Sequence, residues 1–120
     1  MKTYSISKHC LELWKTLIKL RAGYVCEHCG STHVMQGHHI ISSTEWNLRF
    51  DEENGICLCR VCHIFWLKQY PIDYVKWLNE KWPGRLESLE LRRHGKAKKT
   101  DYTLLKIYLE VEIRKLKEGK

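Results

Sequence analysis

Two Cys-x-x-Cys pairs, Cys26-Glu-His-Cys29 and Cys59-Arg-Val-Cys62, frame the chemistry of this chain, and Gly37-His38-His39-Ile40, Asn54-Gly55 and His63 stand between or just after them. Thiolate sulfurs favour Zn²⁺, and two such pairs supply the four ligands of a closed tetrahedral structural site. Cys26, Cys29, Cys59 and Cys62 are therefore expected to be structural zinc ligands. Cys10 and Cys57 are left over and read as small buried hydrophobes, with Cys57 an alternative to Cys59 at one ligand position. His28, His33 and the carboxylates Glu45, Asp51, Glu52 and Glu53 read as solvated. Zinc surrounded by four sulfurs has no use for His38, His39, Asn54 or His63. A neutral imidazole takes a proton from water near neutral pH, its ordinary pKa being about 6.5, and a second imidazole can ligate a divalent cation.

Adjacent histidines on a strand point to opposite faces. At a strand end they can still serve one site in different roles. Hydrolysis of a phosphodiester requires an activated water, stabilisation of the charge building on phosphorus, and help for the leaving oxygen. One base and one metal meet those needs.

Cys26, Cys29, His38, His39, Ile40, Asn54, Cys59, Cys62 and His63 together resemble the HNH nucleases of the ββα-metal class. That pattern runs Cys-x-x-Cys, an Asp-His or His-His pair before Ile, an Asn, then Cys-x-x-Cys-His on a helix. The resemblance covers residues 24 to about 66, and the run Leu48 to Ile56 looks most like phage recombination nucleases of the NinG type. It implies a metal-dependent endonuclease acting on DNA, leaving a 5′-phosphate and a 3′-hydroxyl. It further implies His39 as general base, His38 and His63 as ligands of a catalytic divalent metal, and Asn54 as the residue that holds the loop and orients His39. The implied catalytic metal is Mg²⁺ or Mn²⁺. His38 stands where the family often has Asp, and two imidazoles also suit Zn²⁺, Ni²⁺ or Co²⁺. The competing reading is a catalytically silent, zinc-stabilised DNA-binding module. A third is a protein-interaction domain built on the last helix.

Charge agrees with an anionic partner. Lys and Arg number 21 against 14 Asp and Glu, a formal net charge of +7, which favours nucleic acid. Arg49 lies between the histidine pair and Asn54 and is a candidate for gripping phosphate. Arg21, Arg60, Arg92, Arg93, Lys96, Lys98 and Lys99 are candidates for sequence-independent backbone contacts. No base-reading module is evident, so recognition is expected to follow DNA shape or structure. No stretch approaches the ~20 apolar residues of a membrane span. No signal-peptide run opens the chain, and the cysteine spacing favours metal over disulfides. A bacterial or phage-infected host cytosol is the expected location.

These side chains need elements to hold them. The expected fold is α+β within one domain, 1–120: a zinc-stapled ββα core over 24–70 and a helical extension over 71–120. Leu11, Trp14, Leu17, Ile18 and Leu20 predict a helix from Ser7 as N-cap to a stop at Gly23. His33 to Ile41 reads as a strand, 41–47 as a loop, and Gly55 to Leu58 as a strand with Ile56 and Leu58 on one face. A helix from the second knuckle runs toward Tyr70. Pro71 opens another to about Trp82, broken by Pro83-Gly84. Leu86, Leu89 and Leu91 predict a short helix, ended by Gly95. Asp101 or Thr100 caps a last helix whose wide apolar face is expected to pack on the domain or on a second copy, making a homodimer.

Overall fold

The computed structural model describes residues 4–95 and 99–119. Its order is α1 (Ile6–Arg21), β1 (Met35–His39), a single 3₁₀ turn (Glu52–Asn54), β2 (Gly55–Cys59), α2 (a π-helical turn Cys62–Trp66 continued by Leu67–Gln69), α3 (Pro71–Lys81), α4 (Arg85–Arg93) and α5 (Tyr102–Glu118). This is an α+β fold in which strand, strand and α2 form a ββα core, with α1 before it and three helices after it.

The strands are antiparallel, with Gln36 opposite Leu58, Gly37 opposite Cys57, His38 opposite Ile56 and His39 opposite Gly55. Two strands alone are barely stable in water, and here both faces are covered. Every residue of β2 is buried. Cys57 joins Cys10, Trp14, Leu17, Ile18, Leu109 and Ile113 in one cluster, whereas Ile56 and Leu58 join Tyr74, Leu78 and the knuckle cysteines in another. The alternation of side chains along β2 thus divides the core into an α1/α5 half and an α2/α3 half.

Several boundaries shift from the expected ones for local reasons. Ser5, extended at φ −118°, caps α1 by accepting from the Lys8 N–H, so the helix begins one residue before Ser7. β1 starts only at Met35, because Val34 has φ +44°, a left-handed conformation that cannot continue a strand. Asp101 is the cap of α5, its carboxylate accepting from the Thr103 and Leu104 N–H groups. On α5, Leu109 and Ile113 are buried against α1, while Leu104, Ile107 and Tyr108 remain exposed. Leu91, expected to be apolar packing on α4, also faces solvent. Among the described residues no helix is long and apolar enough to cross a membrane.

Helix α1 lies close on the sheet because two glycines leave it room. A Cβ on Gly37 would come 3.1 Å from the Lys15 backbone. One on Gly55 would come 2.5 Å from Ile18 Cδ1 and 2.7 Å from the Trp14 indole. Gly55→Ala is therefore expected to push α1 off the sheet and destabilise the fold by about 1–3 kcal/mol, the usual cost of overpacking. A urea unfolding curve with an unchanged midpoint would contradict this packing account.

Candidate active site and metal centre

The four knuckle cysteines converge. Cys26, Cys29, Cys59 and Cys62 present sulfurs that all lie within 4.8 Å of one another, and Cys29 Sγ is 3.6 Å from Cys59 Sγ. With Zn–S bonds of about 2.3 Å, a tetrahedral site has sulfur–sulfur edges of roughly 3.8 Å. The donor set therefore fits a metal ion of the zinc type. Each pair also has the same internal geometry: Cys29 N–H points to Cys26 Sγ at 3.5 Å and Cys62 N–H to Cys59 Sγ at 3.4 Å. Burial acts to raise the Cys26 thiol, yet the backbone N–H groups around its sulfur bring it down to about 7. Burial and the neighbouring thiols push Cys62 upward instead. Four thiols this close cannot all ionise unless a cation shares the space. Cys57 and Cys10 lie apart in the α1 core, and burial raises the Cys57 thiol to about 12, as befits a small hydrophobe. His28 differs from the solvated residue expected: its ring stacks on Trp66 at 3.5 Å, and its Nδ1 approaches Cys62 Sγ at 3.2 Å.

His38 and His63 meet on the α2/α3 side of β1. Their ring centroids are 4.8 Å apart, tilted by 61°. His63 Nδ1 contacts Gln36 Oε1; an amide oxygen only accepts, so Nδ1 carries the proton and Nε2 keeps its lone pair. Gln36 precedes His38 by two residues on the strand and so shares its face. His38 Nε2 lies 3.2 Å from the Tyr74 hydroxyl. Burial, and then the neighbouring His63 and His39, depress His38 to about 3. Burial and Lys68 also lower His63. Both imidazoles are therefore neutral near pH 7, the state in which imidazole ligates a metal.

His39 sits on the other face. Its ring stacks on the fully buried Trp14 of α1, centroids 4.0 Å apart and planes 10° from parallel. Trp14 is fixed in turn by its indole N–H donating to the Asp51 carbonyl at 3.1 Å. His39 Nε2 is 2.9 Å from the Arg49 carbonyl, which can only accept, so a neutral His39 has its free lone pair on Nδ1. Burial lowers its pKa, the Arg49 carbonyl opposes that, and the charges of Lys15 and Arg49 lower it further.

Asn54 is completely buried and ties the connecting loop together. Its Oδ1 accepts from Ile41 N–H at 2.7 Å, and its Nδ2 donates to the Ile41 and Leu48 carbonyls at 2.9 and 3.1 Å. The carbonyl that receives His39 belongs to the next residue, Arg49. Asn54 thus acts on His39 through the backbone of the loop.

The basic candidates separate into engaged and open groups. Arg21 donates to the Glu52 and Gly55 carbonyls, both at 2.8 Å, and so braces β2. Arg92 pairs with Asp51 at 2.6 Å and Glu53 at 3.3 Å, and Arg93 with Glu45 at 2.9 Å and Glu90 at 3.2 Å. These three guanidinium groups are bonded to carbonyls or carboxylates of the protein, although Arg21 and Arg92 remain exposed to solvent. Glu45, Asp51 and Glu53 are likewise held in ion pairs. Arg60 and Lys99 are exposed, whereas Lys96 and Lys98 lie outside the described residues. Arg49 has no carboxylate partner among the described residues; its guanidinium lies 5.2 Å from the Trp46 ring and 5.5 Å from Phe50. Trp14, Gln36, Tyr74 and the Arg49 carbonyl were not recognised in the sequence as parts of the site. Only Gln36 carried a signal, its i, i+2 relation to His38.

Residues 26–64 match the family described as HNH endonuclease. No curated protein and no solved structure matches the chain significantly. The family match spans the ββα core from the first knuckle to the residue after His63, so the resemblance drawn from the motif holds there. At the level of the family it points to nuclease activity, with DNA as substrate or partner.

Two outcomes follow. Removing the metal with a chelator under reducing conditions should abolish the near-UV circular dichroism of Trp66 and Trp77, which pack beside the knuckles. Unchanged spectra in a metal-free sample would show that the four cysteines need no metal to pack. The second concerns acid. Folded His38 stays neutral down to about pH 3, whereas the unfolded imidazole protonates near 6.5. The unfolded chain binds more protons below that point, so stability is full at pH 7.5 and declines on acidification, by about 2 kcal/mol at pH 5 from this group. Urea unfolding of the metal-loaded protein across that range should show a shallower decline in His38→Asn.

Proposed function

We propose that this chain is a metal-dependent endonuclease that hydrolyses DNA phosphodiester bonds, with His39 as general base and His38 and His63 as the residues that hold a catalytic divalent cation. The observation that carries this reading is the division of the histidine pair between the two faces of β1. Phosphoryl displacement places attacking and leaving oxygens roughly in line, on opposite sides of phosphorus. A base on one face of the strand end and a cation held from the other suit that geometry.

His39 Nδ1 takes the proton from the attacking water, while Nε2–H stays donated to the Arg49 carbonyl, which holds the ring and stabilises the imidazolium as it forms. Trp14 keeps the ring from rotating, and Asn54 holds the loop that carries the carbonyl. A divalent cation, when bound by His38 and His63, supplies electrostatic stabilisation of the charge on phosphorus and on the leaving oxygen. Gln36 and Tyr74 orient those two rings. Mg²⁺ or Mn²⁺ is the proposed ion, and two neutral imidazoles also accept Ni²⁺, Co²⁺ or Zn²⁺. Arg49 would contact phosphate beside the base, with Arg60 and Lys99 as backbone contacts further out. Products carry a 5′-phosphate and a 3′-hydroxyl, and the activity belongs in a bacterial or phage-infected cytosol. A second copy paired through the exposed Leu104 and Ile107 would supply a site for each strand.

Nicking of supercoiled plasmid with added Mg²⁺, Mn²⁺ or Ni²⁺ tests the reading. Cutting should require the added metal and fall by roughly 10²–10⁴ in His39→Ala, with metal at the cysteines retained. A wild-type protein that keeps that metal and binds DNA, but cuts neither plasmid nor a panel of branched substrates, would instead be the DNA-binding module.

A further inference from the structure

Trp46 is the most exposed of the five tryptophans, at 60%, although nothing about its setting is loose. The preceding Glu45 is paired with Arg93, and the following Asn47 donates to the Gly95 carbonyl at 2.6 Å. Leu48 is fully buried, and the Leu48 N–H donates to the Glu45 carbonyl at 3.0 Å. A large aromatic ring held open to water on a turn pinned from both sides forgoes burial that a flexible turn would recover. Beside it the Arg49 guanidinium is packed between Trp46 and Phe50, with its Nε buried and without a hydrogen-bond partner. The nearby carboxylates Glu45, Asp51 and Glu53 are each paired with Arg92 or Arg93. Arg49 is the one basic residue of the loop 41–54, and no carboxylate pairs with it among the described residues. Through its own carbonyl, Arg49 also carries the hydrogen bond to His39.

We propose that Trp46, flanked by Arg49, is a stacking platform for an unpaired base of the DNA next to the cleavage point. The inference rests on the nuclease reading and gives it a substrate class: single-stranded, gapped or branched DNA in preference to intact duplex. A base inside a duplex has both faces covered by its neighbours and offers none to an indole. An unpaired base has a free face, and stacking on an aromatic side chain is tolerant of sequence. Arg49 supplies the charge for the adjoining phosphate, so one turn holds base and backbone of the same nucleotide beside the base catalyst.

Binding without added catalytic metal tests the platform independently of cutting. The metal-loaded wild type, Trp46→Ala and Trp46→Phe are titrated with a short oligothymidylate and with a blunt duplex, after metal content and urea midpoint show all three folded. Wild type should prefer the oligothymidylate. Trp46→Ala should bind it about tenfold or more weakly, lose less than about twofold on the duplex, and Trp46→Phe should keep most of the preference. Equal oligothymidylate affinity in wild type and Trp46→Ala, or equal losses on both ligands, overturns the platform. Cleavage measured in parallel separates the two readings. A missing stacking effect with cutting intact removes only the platform, whereas a stacking effect without cutting supports the platform and removes the nuclease.

Discussion

Backbone pairing between Met35–His39 and Gly55–Cys59 governs what every other element can do. The pairing is only five residues long, and its register places His39 opposite Gly55 and His38 opposite Ile56. A slip by one residue would exchange the faces of the strand. His38 would then turn toward α1 and His39 toward α2, and neither would meet its present partners. Two devices hold the register. At one end the cysteine cluster joins the turn before β1 to the start of α2. At the other, Gly55 admits the Trp14 and Ile18 side chains so closely that no residue with a Cβ could take its place there without movement.

The loop from Ile41 to Asn54 would be an ordinary surface connection without its internal bonds. Asn54 binds both ends of it from the inside, and α4 binds it from the outside through Arg92, Arg93 and the carbonyls that Asn47 caps. A buried amide with all of these partners specifies one loop conformation, because leaving any of the partners unsatisfied costs about 1–3 kcal/mol. That conformation presents the Arg49 carbonyl to His39. The helical extension therefore contributes to the site although none of α4 touches the histidines.

Burial also sets the protonation of the site. His38, His39 and His63 are all shifted toward the neutral form, chiefly by desolvation and partly by positive neighbours. Two of these neutral imidazoles have defined lone-pair positions, His39 at Nδ1 and His63 at Nε2, because the Arg49 carbonyl and the Gln36 amide oxygen only accept. The Tyr74 hydroxyl holds the His38 ring in place. The site is thus prepared to accept a proton on one face of β1 and a cation on the other, with little rearrangement. Arginine pairing with loop carboxylates also fixes the loop, since Arg92 and Arg93 tie Asp51, Glu53 and Glu45 to α4.

Much of this was legible from residue types and spacing. Two Cys-x-x-Cys pairs demand a common centre wherever they are brought together, and the His-His, Asn and His63 between and after them mark the ββα core. Alternation already required His38 and His39 to diverge, and Pro71, Pro83-Gly84 and Asp101 marked helix boundaries by local chemistry. The partners of those residues were not legible, because they come from distant parts of the chain. Trp14 looks like any core residue of an amphipathic helix until α1 is laid across the sheet, and Tyr74 like any apolar position of α3. Arg21, Arg92 and Arg93 read as free charge because sequence counts cations without showing which carbonyl or carboxylate each one reaches. Composition and spacing determined which groups are present and that the two histidines take opposite faces of the strand. Only the tertiary structure decided that His39 keeps Nδ1 open and His63 keeps Nε2 open, since each depends on a single acceptor, the Arg49 carbonyl or the Gln36 amide oxygen, brought within hydrogen-bonding distance.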